Sequence, residues 1–358
     1  MNTKLPHLPP QEEIETLVVL KQLTKSHRYL AELKGTVKTI PNEHILINTL
    51  ALQEAKDSSE IENIVTTHDD LYKENILIET KNPATKEVYN YAQSLKLGFE
   101  IVRKEQLLLN KHIIAIQQKL EQNKAGFRTQ AGTKLVNSFG EVVYIPPQDK
   151  DEILSLMANL EKFINDNDFS GLDPLTKMAV IHYQFESIHP FYDGNGRTGR
   201  IVNILYLVLQ GLLDLPVLYL SRYIIRNKQQ YYQVLQGVRS NNDWESLILY
   251  LIKGVEVTAK QTIDLVQNIK TLMQDTKHRL REDLPKIYSQ DLLNNLFKNP
   301  YTKIEFLEKD LGVSRRTAQN YLDVISDIGI LEKVKIGKSN YYINNNLIDV
   351  LAGTTNGK

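Results

Sequence analysis

The 358-residue chain has no cysteine, which excludes disulfides, a thiolate nucleophile and cysteine-ligated zinc. It also lacks an excess of either charge. With 43 basic and 43 acidic residues the formal net charge is +0, so no chain-wide field draws it to nucleic acid or anionic lipid, and any such patch must be local. Nor is there a long unbroken apolar run. The most apolar stretch, IVNILYLVLQGLLDLPVLYL at 201–220, is interrupted by Asn203, Gln210, Asp214 and Pro216. That pattern argues against a bilayer span and for a buried helix followed by a loop. The N-terminal MNTKLPHLPPQEE has prolines and acids where a secretory signal needs apolar residues. These absences predict a cytoplasmic chain with no membrane partner, long enough for two or three domains that each bury a core.

What is present is mainly helical spacing. Ile14, Leu17, Val18, Leu30 and Leu33 recur at three and four across 12–33, with Gly35 placed to end that helix. Pro41 opens the next pattern, in which Ile45, Leu46, Leu50 and Leu52 lead into KDSSEIENI. Further helices are predicted after Pro83, over 99–120, over 149–163, and from Asp173, an N-cap residue followed by Pro174 at the first helical position. One stretch departs from this. FRTQAGTKLVNSFGEVVYIPPQDK at 127–150 alternates, is rich in β-branched and aromatic residues, and reads as a hairpin turning at Asn137-Ser138-Phe139-Gly140 and ending at Pro146-Pro147.

Toward the C-terminus, Ile263, Val266, Ile269, Leu272 and Met273 predict an amphipathic connecting helix. After Leu284-Pro285 come three short helical patterns, at 289–297, 303–310 and 314–327, then paired strands that turn at Gly337-Lys338-Ser339. This is the pattern of a winged helix, whose second helix would present Arg315, Arg316, Thr317 and Gln319, with Lys338 on the wing. Asp310, Asp323, Asp327 and Glu332 dilute its charge, so DNA and a protein partner both stand as its ligand.

The densest chemistry lies in HPFYDGNGRTGR, 189–200. Gly194, Gly196 and Gly199 match a dinucleotide-binding spacing, but the preceding LTKMAVIHYQFESI is helical, and that fingerprint requires a strand. Helix, loop, helix remains, with the second helix starting at about Arg197. The first N–H groups of such a helix have no carbonyl partner and lie at the positive end of its dipole, which makes an anion site. Glycines let a phosphate approach the backbone. Arg197 and Arg200, on neighbouring positions of the first turn, offer guanidinium forks to phosphate oxygens. Asp193 is a hard oxygen ligand suited to Mg²⁺ on a diphosphate. His189, with an ordinary pKa of ~6.5, can take a proton from an attacking hydroxyl.

Taken whole, the loop fills every fixed position of H-x-F-x-(D/E)-G-N-G-R-x-x-R and resembles the signature of the Fic family, with similarity extending over roughly 39–254. The resemblance implies a mainly α protein: a Fic-type helical domain with a β-hairpin flap, plus a small C-terminal winged-helix domain. The expected divisions are an N-terminal helical region at 1–98 with an inhibitory helix at about 45–65, a catalytic core at 99–254 with its flap at 127–147, a connecting helix at 255–285, and the winged helix at 286–358. The implied activity is protein adenylylation, in which AMP passes from ATP, with Mg²⁺, to a Ser, Thr or Tyr hydroxyl of a target protein and pyrophosphate is released.

By the same resemblance His189 is the base and Asp193 the Mg²⁺ ligand. Asn195 and the backbone of Gly194 to Gly196 line an anion hole, and Thr198 and Gly199 belong to the same nucleotide loop. Arg197 grips the phosphate chain near the β-phosphate and Arg200 the γ-phosphate, while Phe191 anchors the loop. Val142, Val143 and Tyr144 match flap positions bordering the nucleotide, where the flap pairs with the target's backbone. Tyr231 matches an adenine-pocket position. Ser58, Glu62 and Asn63 fit the inhibitory pattern (S/T)-x-x-x-E-(G/N), in which Glu62 pairs with Arg200 and displaces the γ-phosphate. The resemblance leaves open AMP removal or a bifunctional enzyme, self-modification, a homodimer, and a nucleotide-binding transcriptional regulator that uses the winged helix on DNA.

Overall fold

A computed structural model describes residues 4–67, 70, 71, 82–137, 139–336 and 339–353. Helix α1 (Leu17–Val37) begins where the Thr16 hydroxyl accepts from Val19 N, and it buries Val19, Leu23, Leu30, Leu33 and Val37. Gly35 does not stop it. The helix runs on because Val37 and, beyond the cap, Ile40 still have core to enter, and an interior glycine costs only ~1 kcal/mol. Helix α2 (Glu43–Ile61), capped by Asn42, is buried nearly all round, including the polar Glu54, Asp57, Ser58 and Ser59. A helix without a solvent face is an interior helix, and its buried polar groups need partners.

The single helix predicted over 99–120 is two. Helix α3 (Pro83–Glu105) ends at Gln106, which is left-handed at φ 53°, and α4 (Asn110–Glu121) starts after a short turn. The flap follows, with β1 (Leu135–Val136) antiparallel to β2 (Val142–Tyr144) and Leu135 opposite Tyr144. Its turn closes through Asn137, whose N–H donates to Glu141 O at 2.9 Å; Ser138 lies outside the described residues.

Helix α5 (Lys150–Asn165) is capped by Asp149, and α6 (Pro174–Ile188) by Asp173 with proline in its first turn. Helix α7 (Asn195–Leu209) opens two residues before the predicted Arg197, and all of it up to Leu207 except Gly196 is buried. After α8 (Leu220–Arg226) and α9 (Lys228–Asn241) comes α10 (Trp244–Asp283), a 40-residue helix packed along α1. The boundary placed between residues 254 and 255 therefore falls inside one continuous helix.

The C-terminal module consists of α11 (Gln290–Lys298), β3 (Tyr301–Thr302), α12 (Ile304–Leu311), α13 (Arg315–Asp327), β4 (Glu332–Ile336), β5 (Ser339–Ile343) and α14 (Asn345–Ala352), with an antiparallel sheet ordered β3-β5-β4. Neither β3 nor α14 is among the predicted elements: β3 is two residues long and shows no period, while α14 buries Leu347, Val350 and Leu351 at a helical spacing that the prediction left unused. Helix α11 packs against α2, and α14 against α10. Gly337 and Lys338 lie outside the described residues. Among the described residues no helix is long and apolar enough to cross a membrane.

Close contact of α3, α4 and α7 depends on Gly98. A Cβ there would collide with Leu205 Cδ1 and lie 3.0 Å from Ile116 Cδ1. Gly98→Ala is expected to cost about 1–3 kcal/mol through overpacking, read as a lower melting temperature. An unchanged melt would mean that Leu205 can turn aside.

Candidate active site

The loop that begins at His189 joins α6 to α7. His189 caps α6 in the left-handed conformation (φ 50°, ψ 59°), and its N–H donates to Phe185 O at 2.9 Å. Two residues on, Phe191 is fully buried, with its ring centroid 5.2 Å from that of Phe127 and 6.3 Å from that of Phe185. The Asn195 side chain accepts from Phe191 N and donates to Phe191 O, both at 2.8 Å. It therefore staples the loop and faces inward, and only backbone groups remain to form the anion hole expected there. Gly194, left-handed at φ 76°, precedes the first turn, and Thr198 N makes the first helical bond, to Gly194 O at 2.9 Å. The N–H groups of Asn195, Gly196 and Arg197 lie ahead of that bond at the dipole's positive end.

A Cβ at Gly196 would run into Glu62 Oε1 and lie 3.0 Å from Arg200 Nη1, so a side chain there would push the Glu62 carboxylate aside. Thr198 and Gly199 are different. Thr198 is fully buried, and a Cβ at Gly199 would lie 2.8 Å from Glu186 Oε1 and 3.0 Å from Phe185 Cδ1. The bare Cα of Gly199 therefore lets α7 pack closely on α6, a steric role beside its expected place in the nucleotide loop.

The two arginines of α7 are held by carboxylates. Arg200, 2 % exposed, donates from Nε to Ser58 Oγ at 2.7 Å and from Nη2 to Ser58 O at 3.0 Å and Glu62 Oε1 at 2.9 Å. Arg197 lies 3.0 Å from Glu121 and 3.1 Å from Glu87, two partners that belong to no motif and come from α4 and α3. Asp193 stands at the mouth with its side chain 76 % exposed, 3.9 Å from Arg197.

Burial alone would push the Glu62 carboxyl up, but Arg200, Arg197 and Lys228 together hold it below the usual carboxylate range. Asn63 is left-handed at φ 62°, a conformation that favours glycine or asparagine at that place in the inhibitory pattern. Burial and the Arg128 charge push the His189 imidazole down to about 4, against the opposing influence of the Glu186 backbone carbonyl and Glu62. The ring is neutral at pH 7.

On the flap Val142 and Val143 face outward beside other exposed apolar residues, Val136, Phe139 and Ile145. Tyr144 turns inward instead: its hydroxyl donates to Ser187 O at 3.0 Å, and the Arg239 guanidinium lies 3.9 Å from its ring centroid. Tyr231 is buried, and its hydroxyl is 2.8 Å from His182 Nε2, whose Nδ1 is in turn 2.9 Å from Asn203. The adjacent Tyr232 is half-exposed, and the tyrosine pair gave no sign of which ring faces in. In the C-terminal module Arg315 is paired with Glu305 at 2.8 Å and Glu308 at 3.7 Å. Lys338, expected on the wing, lies outside the described residues.

Three family profiles match this chain in succession: Fic/DOC family N-terminal over 20–100, Fic/DOC family over 107–207, and protein adenylyltransferase SoFic-like, C-terminal domain, over 272–347. The chain belongs to the Fic family. A probable protein adenylyltransferase of Aquifex aeolicus is 25% identical over 300 residues, 81% of this chain and 83% of its own length. The protein adenylyltransferase Fic of Drosophila erecta is 30% identical over 153 residues, so that the match spans 42% of this chain but only 29% of that relative. In fold, a crystal structure of a Fic family protein from Desulfovibrio desulfuricans covers 94% of this chain and 98% of its own, with a TM-score of 0.60 at 18% identity.

This Fic chain seats its α2 helix on α8 through buried carboxyls. Glu54 accepts from Tyr91 Oη at 3.2 Å, from Ser221 N at 3.3 Å and from the Ser221 hydroxyl, and Asp57 accepts from Arg222 Nε at 3.3 Å. Burial pushes Glu54 up to about 8, so it is protonated at pH 7. Between the unfolded value of 4.5 and about 8 the folded chain holds a proton that the unfolded chain releases. Stability therefore falls as pH rises across that window, by up to about 1.4 kcal/mol per pH unit, and levels off above it. Glu186, pushed up to about 7 by burial, contributes with the same sign. Glu54→Gln should flatten the fall in melting temperature between about pH 5 and 8 without abolishing it. Equal slopes in the two proteins would place the proton elsewhere.

Proposed function

We propose that this chain is a protein adenylyltransferase that takes ATP and Mg²⁺ and is restrained by its own Glu62. The observation that supports the reading best is the convergence on one loop of a neutral histidine, an exposed carboxylate, the free N-terminus of α7 and two buried arginines. The N–H groups of α7 receive the phosphates, and Arg197 and Arg200 orient them. A hydroxyl of the target forms a bond to the α-phosphorus, the bond from that phosphorus to the bridging oxygen of pyrophosphate breaks, and the hydroxyl proton passes to the His189 imidazole.

Asp193 suits Mg²⁺ because its carboxylate is exposed and only distantly neutralised. Among the described residues no group of three or more His, Asp or Glu could hold a metal alone, so the phosphates would supply the remaining ligands. Bound there, the ion neutralises charge on the phosphates. The target lies along the exposed apolar edge of β2, where backbone pairing fixes the hydroxyl's register with little demand on sequence.

Intact-mass spectrometry of Glu62→Gly after incubation with ATP and Mg²⁺, alone and with cell lysate, tests this reading. Protein gaining the mass of AMP is expected. A gain of phosphate only, or no adduct on any protein, would contradict it.

A further inference from the structure

We infer that Arg128 is a positioning residue that couples the flap to His189, a role that rests on the adenylylation reading above. Arg128 is completely buried, yet among the described residues no carboxylate pairs with it. A buried guanidinium without a counter-ion is costly, so where it is placed calls for an account. Its donors are spread over backbone carbonyls: Nε to His189 O at 2.8 Å, and Nη2 to Ile188 O at 3.2 Å and to Pro147 O. Its own N–H donates to Pro190 O at 2.8 Å.

Its neighbours follow the same line. The Phe127 ring packs on Phe191, and Thr129 N donates to the Tyr192 hydroxyl at 3.0 Å, so 127–129 run beside 190–192. The returning arm is joined to the outgoing arm by Gln148, which donates to Thr133 O at 3.0 Å and Pro146 O at 2.6 Å and accepts from Gly132 N at 2.6 Å. The Arg128 side chain thus ties the start of the flap to its last proline, Pro147, and to the carbonyl of His189.

Two consequences follow. The left-handed backbone of His189 is uncommon for a residue with a side chain, and Arg128 Nε holds its carbonyl in that orientation, which sets the direction in which the Cα–Cβ bond leaves the loop. Any shift of the flap as a target docks is felt at the same guanidinium. Arg128 also sets the charge around the ring. His189 is faced by Arg128 from the flap, Arg239 from α9, Glu62 from the end of α2 and the Glu186 carbonyl from its own helix, and the two cations favour the neutral base.

The test uses the full chain with Glu62→Gly, to which Arg128→Lys or Arg128→Gln is added. Lysine keeps the charge but is too narrow to bridge His189 and Pro147; glutamine loses both. Hydrogen exchange read by mass spectrometry should show peptides of 132–147 exchanging faster in both variants, while α1 and α10 remain as in the parent. The His189 ring, assigned in NMR spectra by its loss in His189→Ala, should titrate near the parent value with lysine and higher with glutamine. The kcat for AMP transfer should fall about 10- to 100-fold in both, with KM for ATP changed less than about twofold.

Unaltered flap exchange and an unmoved His189 titration would overturn the inference, as would exchange rising equally throughout the molecule. Were the Glu62→Gly parent inactive, the adenylylation reading would fail, while exchange and titration would still decide the role of Arg128.

Discussion

Replacing His189 with alanine is expected to lower AMP transfer by about 10²- to 10⁴-fold, the usual contribution of a positioned general base, with little loss of ATP affinity. The phosphates are addressed by the start of α7 and by Arg197 and Arg200, none of which depends on the imidazole for its place. Binding and proton transfer are therefore separable, and calorimetry with ATP alongside a transfer assay would show it. The low pKa of the ring, about 4 without nucleotide, makes the neutral base the dominant form at physiological pH. Activity should be lost only on acidification. Bound triphosphate, being negative, favours the imidazolium and should move that acid limb upward, which is the direction a base needs if it is to hold the proton it receives. A His189→Ala protein that transfers AMP at the parental rate would remove the histidine from the mechanism.

Glu62→Gly is expected to raise transfer. Arg200 has its Nε on Ser58 Oγ and its Nη2 shared between Ser58 O and Glu62, so the guanidinium that should meet the γ-phosphate is already engaged. A charge-assisted hydrogen bond to a buried guanidinium contributes about 1.5–3 kcal/mol. The Glu62 side chain is 38% exposed, which places the effect toward the lower end, an activation of about 10-fold. Since Arg200 keeps Glu62 ionised, acid is a poor substitute for the mutation. The contact is present at neutral pH and is lost only as pH falls through the lowered Glu62 pKa, below the ordinary carboxylate range. A rate that stays level or drops in Glu62→Gly, with ATP still bound, would mean that this contact is not a brake.

What could be read in the sequence was what is local. The loop at 189–200 carries its chemistry in consecutive residues, and helix starts are signalled by the residue that caps them, as at Asp149, Asp173, Ser289 and Ser314. The pairing of Glu62 with Arg200 was also accessible, through the spacing of a known pattern, whereas the two bonds from Arg200 to Ser58 were not. What depends on packing was not. Nothing in QLLLN announces that Gln106 turns left-handed and splits a helical period, and Gly35 fails to stop α1 because of apolar residues beyond it.

The same limit applies within the site. Asn195 was expected among phosphate ligands, but its amide finds both partners on Phe191, and Tyr231 finds its own on His182. Glu87 and Glu121 hold Arg197 from helices about 75 to 110 residues away in sequence, and no pattern along one chain links them. Arg128 is hidden for a related reason: in the sequence an arginine reads as a surface charge, and its carbonyl partners lie up to about 60 residues away.

The central claim is that this loop transfers AMP and that Glu62 limits it. The most direct test incubates wild type, Glu62→Gly and Glu62→Gly/His189→Ala with Mg²⁺ and ATP labelled on the α-phosphate, and reads label on the enzyme and on proteins of a cell lysate. The account predicts faint label with wild type, strong label with Glu62→Gly, and none with the double variant. Label equal in all three, or absent from all three while ATP binds, would contradict it.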